Sequence, residues 1–527
     1  MKKASLYVPV VLSILVLGAH FLRFGNWIGV FAALLLIVLL FVRRPWVARL
    51  MQVVLVLGTL EWLRTMYELT HIRALQGQPY GAHACYPRRR RGGDLLLGPA
   101  VPVKGVEEDL RYRRGMKKYD VVIAGAGIIG LSIAWQLARR SALRIAVIEK
   151  GAAVGEGSTG ASSAICRVRY SNDEMLLLAR DGIQAYRHWV AFTGLVEPAA
   201  EFHQDGVLWM PGGDREWADV EQRRMQGFGV AAEVLDDDDI AKRFPAISSC
   251  TLAPDLETGE AHDCVGGSRN LFESEGGHVD PMAAARDLVE ACRNAGVEVR
   301  FRRQVIGVDV SGGRVQKVSL DNGDELATPL LINAAGPWCD RLSRAAGLEL
   351  PWTLVPTRIQ VMYRDRPDVL EGHIPVTADL AGGIYFRTQN NGQQLVIGSV
   401  REEDEREAVA DPDDFRTETD EDFELVNLHV LHHRLPGLPS SGRVRGFCGL
   451  YTTNLEDVHP ILGPTEIEGF WVANGFSGHG FKLAPAIGAM LAQAVTGERR
   501  DFDTEIPLSF LAVDRKPIDI AAKSVLA

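Results

Sequence analysis

The chain has 527 residues, of which 47% are hydrophobic and 24% charged, so it exceeds one ordinary domain and is neither disordered nor fibrous. Its net charge of −10 hides an asymmetry: residues 1–119 carry 18 lysines and arginines against 6 acidic residues, near +12, and the remainder is near −22. An acidic body argues against nucleic acid as a partner, while the basic start suits a membrane surface.

Residues 4–22 and 24–42 are two runs of 19 without Asp, Glu, Lys or Arg, each long enough to cross a bilayer as a helix. A signal peptide is the alternative for the first, but it lacks a clear small-residue cleavage site and a second apolar run follows at once. A third candidate, residues 50–60, lies between Arg49 and Glu61. It is too short to span unaided and reads equally as an interfacial helix. Lys2 and Lys3 precede the first run, and Arg43, Arg44 and Arg49 follow the second. The positive-inside rule then places both ends in the cytoplasm. Residues 1–75 are therefore expected to be a region of the cytoplasmic membrane, with the rest of the chain facing the cytoplasm. Residues 76–115, with Arg88, Arg89, Arg90 and Arg91 and no apolar period, read as a basic linker. Met116-Lys117-Lys118-Tyr119-Asp120 also looks like the start of a free-standing enzyme, so the membrane part reads equally as a fusion or an over-extended reading frame.

Residues 119–124 form a short Val- and Ile-rich run, the pattern of a buried parallel strand. It leads into Gly125-Ala126-Gly127-Ile128-Ile129-Gly130, after which 131–140 reads as a helix and 144–148 as a second strand ending at Glu149. In such a unit Gly125 permits the tight turn, Gly127 lets a pyrophosphate approach the backbone, and Gly130 lets helix pack on strand. The phosphates meet the free N–H groups of the helix start, and Glu149 is placed to accept hydrogen bonds from ribose hydroxyls. The unit implies a dinucleotide and does not choose between FAD and NAD. The seven cysteines are scattered, with no C-x-x-C pair and no metal-site spacing.

Further motifs follow in order: Gly157-Ser158-Thr159-Gly160-Ala161-Ser162-Ser163, then Arg167 and Tyr170; Gly277-His278-Val279-Asp280-Pro281; a strand containing Val305; Leu331-Ile332-Asn333-Ala334-Ala335-Gly336-Pro337-Trp338; and Gly475-Phe476-Ser477-Gly478-His479-Gly480-Phe481-Lys482-Leu483-Ala484-Pro485. Together they resemble the D-amino-acid oxidase superfamily over residues 116–497, and more closely its sarcosine oxidase, glycine oxidase and dimethylglycine dehydrogenase branch. The resemblance implies FAD as cofactor, with Gly125, Gly127, Gly130, Glu149, Ser158, Thr159, Val305, Gly336, Gly478, Gly480, Phe481 and Lys482 around it. It also implies an α/β (α+β) fold: a Rossmann-type FAD domain at 116–200, 276–350 and 446–500, and an antiparallel-sheet substrate domain at 201–275 and 351–445. A tail is expected at 501–527. Residues 206–210, 355–363, 383–387 and 394–400 read as strands of that sheet, and 481–491 as a helix.

Amine oxidation by flavin passes a hydride to N5, and water hydrolyses the imine. The protein's tasks are to orient the substrate and to stabilise anionic reduced flavin. The glycine-rich turn at 475–482, opening a helix, suits the second task. For the first, the resemblance puts a carboxylate-binding Arg at Arg167 and a Lys at Lys482, with Arg169 close enough to confuse the alignment. It puts pocket aromatics at Tyr385 and Tyr451. His479 receives no proton-transfer role. Three positions depart from the sarcosine oxidases. Gly449 stands where the flavin-linking Cys would be, with Cys448 one place off, so the FAD is expected to be non-covalent. Val396 replaces the oxygen-activating Lys, and Val400 replaces a pocket His. The expectation is a dehydrogenase of a small amino acid or N-methyl amino acid, with the membrane keeping it near a quinone or an electron carrier. The alternatives are a peroxide-producing oxidase and a flavoprotein-like assembly factor for a respiratory complex.

Overall fold

The computed structural model describes residues 116–260, 262–520 and 526. The apolar runs at 4–22, 24–42 and 50–60 and the linker at 76–115 lie outside them. Among the described residues no helix is long and apolar enough to cross a membrane.

A six-stranded sheet runs in the order Glu298–Arg300, Ile145–Ile148, Val121–Ala124, Leu331–Asn333, Phe470–Asn474, Ile461–Pro464. Its first five strands are parallel, and the last is antiparallel to its neighbour. Val121–Ala124 and Ile145–Ile148 are buried at every position, as parallel strands covered on both faces must be. Val121 and Ile123 face helices Ile128–Ala138, Pro281–Asn294 and Gly480–Thr496. Val122 and Ala124 face a small four-stranded sheet through Val315, Val318 and Leu326. The chain leaves Val121–Ala124 to one side for Ile145–Ile148 and later returns on the other as Leu331–Asn333, so the crevice above its C-terminal end is a topological switch point.

Two helices differ in extent from expectation. Helix Ile128–Ala138 starts one turn before 131, because Thr159 Oγ1 accepts the Ile128 N–H at 3.0 Å and satisfies one of the helix's orphan donors. Helix Gly480–Thr496 outruns 481–491 and contains Pro485. Proline has no N–H for the carbonyl of Phe481; the Tyr186 hydroxyl donates to that carbonyl instead, at 2.8 Å. Tyr186 belongs to helix Asp173–Arg187, and Gly182 of the same helix has no side chain to obstruct the Lys482 carbonyl.

The second large sheet has eight strands: Val444–Asn454, Leu354–Asp365, Gln394–Ser399, Ile384–Gln389, Val376–Asp379, Val207–Met210, Asn270–Glu273, Ala232–Leu235. It is antiparallel except where Val376–Asp379 meets Val207–Met210. Alternation divides its faces. Leu208, Met362, Ile384, Phe386, Leu395 and Ile397 pack outward against helix Glu421–Arg434, while Val207, Trp209, Val376 and Ala378 join the core shared with the first sheet. Strand Val444–Asn454 pairs with Leu354–Asp365 along its whole length, so this sheet runs past the boundary placed at 446. The segment after 501 is not a loose tail through 518. Leu511 is buried, the Trp352 indole donates to the Val513 carbonyl at 2.6 Å, and Arg515 pairs with buried Asp457.

Candidate active site

A cavity of about 630 Å³ opens at the switch point. Of the residues expected around a dinucleotide, Gly125, Gly127, Glu149, Ser158, Thr159, Val305, Gly336, Gly478, Gly480 and Phe481 line it. Gly130 lies behind it: a Cβ there would overlap the carbonyl oxygen of Gly125, so only glycine lets helix and turn close up. Gly125 itself has φ +109°, and a Cβ on it would overlap the Ala334 carbonyl.

Glu149 accepts the Ala126 N–H at 2.8 Å and the Gly151 N–H at 2.7 Å, one on each oxygen. Each oxygen keeps a lone pair for a ribose hydroxyl. Ser158 Oγ donates to the Leu450 carbonyl at 2.6 Å and so ties the turn to the substrate sheet. Helices Ile128–Ala138 and Gly480–Thr496 both begin at the cavity wall, and neither has an acidic residue in its first turn. Two unopposed helix N-termini favour anions at two points. A phosphate-binding turn, a ribose-binding carboxylate and a second positive helix end fit FAD.

Lys482 is not part of the cavity wall. It is buried beside it, with Nζ 5.6 Å from the centre of the Tyr170 ring. The Arg167 guanidinium lies over the same ring at 4.2 Å, is 5.4 Å from the Trp209 ring, and donates to the Arg169 carbonyl. Burial, and then the charge of Arg167, holds the Lys482 ammonium well below the usual lysine range. The pair is therefore Arg167 with Lys482. Arg169 turns to Glu221 at 3.2 Å and lies between the rings of Trp209 and Trp217.

Tyr451 lines the cavity; Tyr385 sits on Ile384–Gln389 opposite Gly398, whose missing side chain makes room for the ring. Burial pushes both phenols up, for Tyr385 against a hydrogen bond with Ser163, so both are neutral donors at pH 7. Of the four residues Arg167, Lys482, Tyr385 and Tyr451, Tyr451 is in the cavity wall, while Arg167 and Lys482 meet at the Tyr170 ring.

Sequence reasoning missed two residues there. Glu273 is fully buried and accepts the backbone N–H groups of Val168 and Arg169 and the Trp209 indole N–H. Arg387 is buried on the inner face of the sheet and donates to the Ser163 and Thr388 carbonyls, both at 2.8 Å. Burial lowers its pKa to about 10. Neither is part of a motif, and only burial in the fold reveals them. His479 is completely buried with Nδ1 3.0 Å from the Tyr170 hydroxyl, and burial, then Lys482, keeps it neutral.

The departures also have places. A Cβ on Gly449 would overlap the Ala161 methyl, and the Cys448 thiol turns to the Glu418 carbonyl at 3.1 Å. No cysteine lines the cavity among the described residues. Val396 is buried in register with Arg387, and Val400 follows the end of the same strand.

A family model for FAD-dependent oxidoreductases, DAO, matches residues 120–494. Among curated proteins the chain is similar to hydrogen cyanide synthase subunit HcnC of Pseudomonas aeruginosa, 29% identical over 453 residues, 78% of this chain and 99% of that one. It is 26% identical over 412 residues to FAD-dependent oxidoreductase domain-containing protein 1 of Xenopus laevis, covering 72% and 79%. With mitochondrial dimethylglycine dehydrogenase of Rattus norvegicus the identity is 24% over 399 residues, 73% of this chain and 44% of that one. Two solved structures share the fold: L-proline dehydrogenase from P. horikoshii (TM-score 0.63, 20% identical, covering 76% and 97%) and glycine oxidase from Geobacillus kaustophilus (0.60, 21%, 76% and 100%). The dinucleotide cradle and the extent of the family match lead to one conclusion: the chain belongs to the DAO family of FAD-dependent oxidoreductases, and its cofactor is FAD.

Proposed function

We propose that the protein is a membrane-tethered dehydrogenase that oxidises the C–N bond of a small amino acid or N-methyl amino acid and passes the electrons to a quinone or a carrier. The observation that carries this reading is the pair of buried cations, Arg167 and Lys482, against one Tyr170 ring beside the cavity. Each disfavours the other's charge in a dry site, and a substrate carboxylate between them removes that cost. Arg167 supplies a planar two-point grip and Lys482 a point charge. The neutral phenol of Tyr451 lines the cavity and offers a donor, and Tyr385 is the second aromatic this reading assigns to the substrate. Bound FAD supplies the acceptor for the hydride leaving the carbon next to nitrogen. The N-terminus of Gly480–Thr496 favours negative charge in the cavity. The names of dimethylglycine dehydrogenase, glycine oxidase and L-proline dehydrogenase point to the same substrate class.

Val396 supports a dehydrogenase, since an oxidase of this kind would place a lysine there. Arg387 favours the second reading, a peroxide-forming oxidase, because it puts a buried cation beside Val396. Among the described residues no cysteine lines the cavity, which supports non-covalent FAD. Residues 1–75 would hold the enzyme to the cytoplasmic membrane with its flavin domain in the cytoplasm.

Anaerobic mixing of the purified full chain with a panel of amino acids and N-methyl amino acids tests the reading. Loss of the flavin absorbance names the substrate class, and slow recovery on admitting air marks a dehydrogenase, fast recovery an oxidase. Bound FAD that no compound bleaches would overturn it in favour of a non-catalytic flavoprotein.

A further inference from the structure

On the outer side of the substrate domain, away from the cavity, four metal-ligating side chains converge from two distant parts of the chain. Cys250 Sγ, Cys264 Sγ and a ring nitrogen of His433 all lie within 4.8 Å of one another. His262 Nε2 is 3.4 Å from Cys250 Sγ and 3.2 Å from His433 Nε2. We propose that Cys250, His262, Cys264 and His433 form a structural zinc site that clips the 249–268 loop to helix Glu421–Arg434.

The distances suit that ion. Tetrahedral zinc with Zn–S of about 2.3 Å and Zn–N of about 2.0–2.1 Å requires N–N edges of about 3.3 Å and S–N edges of about 3.5 Å. The two gaps from His262, 3.2 and 3.4 Å, match these edges, and the other three ligand atoms lie within 4.8 Å of one another. Two thiolates balance the charge of Zn²⁺, and two sulfurs with two imidazoles select zinc over the oxygen-seeking magnesium and calcium.

The protein around the ligands is arranged as a support. Thr251 N–H donates to the Val265 carbonyl at 2.9 Å, closing the loop and bringing Cys250 alongside Cys264. Arg434, next to His433, donates to the carbonyls of Ser248 and Cys250 at 2.7 and 3.0 Å. Its guanidinium is held by Asp379, both side chains being fully buried. Asp237 accepts the N–H groups of Gly267 and Ser268 at the far end of the loop. Such outer contacts orient ligands before metal arrives. Apolar burial does little to fix the loop, since Leu252, Leu256 and Val265 are 43–47% exposed. A metal clip supplies the order that apolar burial does not.

The test uses the full-length, FAD-containing protein kept reduced. It is stripped with a chelator and titrated with zinc against a chromophoric competitor. One zinc per chain is expected, and X-ray absorption at the zinc edge should show two sulfur and two nitrogen neighbours. Cobalt(II) in place of zinc should give tetrahedral thiolate bands in the red, clear of the flavin. Cys250→Ser with Cys264→Ser should bring zinc down to background while flavin content stays at the wild-type level. His262→Ala should weaken binding at least tenfold. Zinc uptake no greater than in the double variant, or an edge spectrum without sulfur, overturns the site. So does a Cys250–Cys264 disulfide in protein that takes up no zinc after reduction. The wild-type edge spectrum decides the matter even where a variant fails to fold.

Discussion

Glu273 accepts the backbone N–H of Val168 at 2.6 Å, and so strand Asn270–Glu273 holds the residue next to Arg167 from 105 positions away in sequence. The same carboxylate accepts the Arg169 N–H at 3.1 Å and the Trp209 indole at 2.6 Å. Burial raises the pKa of Glu273, and the three donors offset the desolvation. Glu273→Gln keeps the shape but turns an amide N–H₂ toward one of those donors. We expect a stability loss of about 2 kcal/mol, by the usual cost of an unmade buried hydrogen bond. The KM for substrate should rise more than about tenfold, with kcat changed less, because Arg167 loses its setting. Denaturant midpoints and steady-state kinetics measure both, and an unchanged KM would separate Glu273 from the clamp.

Truncating one partner of a buried charge pair costs about 2–5 kcal/mol. Arg167→Lys and Lys482→Met should each lower kcat/KM by roughly 30-fold or more on that scale. FAD content should stay near wild type, since neither side chain lines the cavity. The clearest readout is the change in flavin absorbance when a non-reacting carboxylate binds. Both variants should lose it, and a variant that binds the carboxylate as wild type does would remove its residue from the clamp.

Burial and Arg167 hold the ammonium of Lys482 well below its usual range, and a carboxylate bound between the two cations raises it again. Above the depressed value Lys482 is neutral in the empty site, so binding a carboxylate there takes up a proton. Affinity for a carboxylate is then greatest below that pKa and falls as pH rises through it, by up to about tenfold per pH unit. Titrations of the same carboxylate at several pH values check the slope. In Lys482→Met any residual binding, followed at higher carboxylate concentration, should show no such slope.

What the sequence made legible was local. The turn from Val121–Ala124 into Ile128–Ala138 and the Glu149 carboxylate are fixed by residues that are neighbours in the chain, and the strands Ile384–Gln389 and Gln394–Ser399, short apolar runs between turn residues, can be read one at a time. Glu273 and Arg387 were not legible, because each looks like an ordinary polar position of a strand until partners from 105 and 224 positions away bury it. The Cys250, His262, Cys264 and His433 cluster escaped for the same reason. Its spacing matches no compact metal motif, and helix Glu421–Arg434 supplies a ligand far downstream. The domain boundary at 446 failed because it falls inside strand Val444–Asn454, which pairs along its length with Leu354–Asp365 of the substrate sheet.

The basic start of the chain and its two 19-residue uncharged runs lead to a prediction about the whole protein. Full-length protein should sediment with membranes and resist a high-pH carbonate wash, which removes proteins held by surface charge alone. Deleting residues 1–75 should release it while FAD stays bound. Release of the full chain by carbonate would leave the basic linker, not a span, as its membrane contact.

Gly449 explains why a covalent flavin link at this position needs more than one change. A Cβ there would overlap the Ala161 methyl in the turn that also carries Ser158 and Thr159. Gly449→Cys should therefore push that turn away from strand Val444–Asn454 and stretch the Ser158 hydrogen bond to the Leu450 carbonyl. Overpacking of this kind costs about 1–3 kcal/mol, so FAD content should fall with Tm, and acid precipitation should leave all the flavin in solution. Adding Ala161→Gly removes the obstructing methyl and should restore FAD content and most of the Tm. A single Gly449→Cys variant with full FAD and an unshifted Tm would show that the turn yields freely, and that Ser158 and Leu450 are not a fixed hinge between the two sheets.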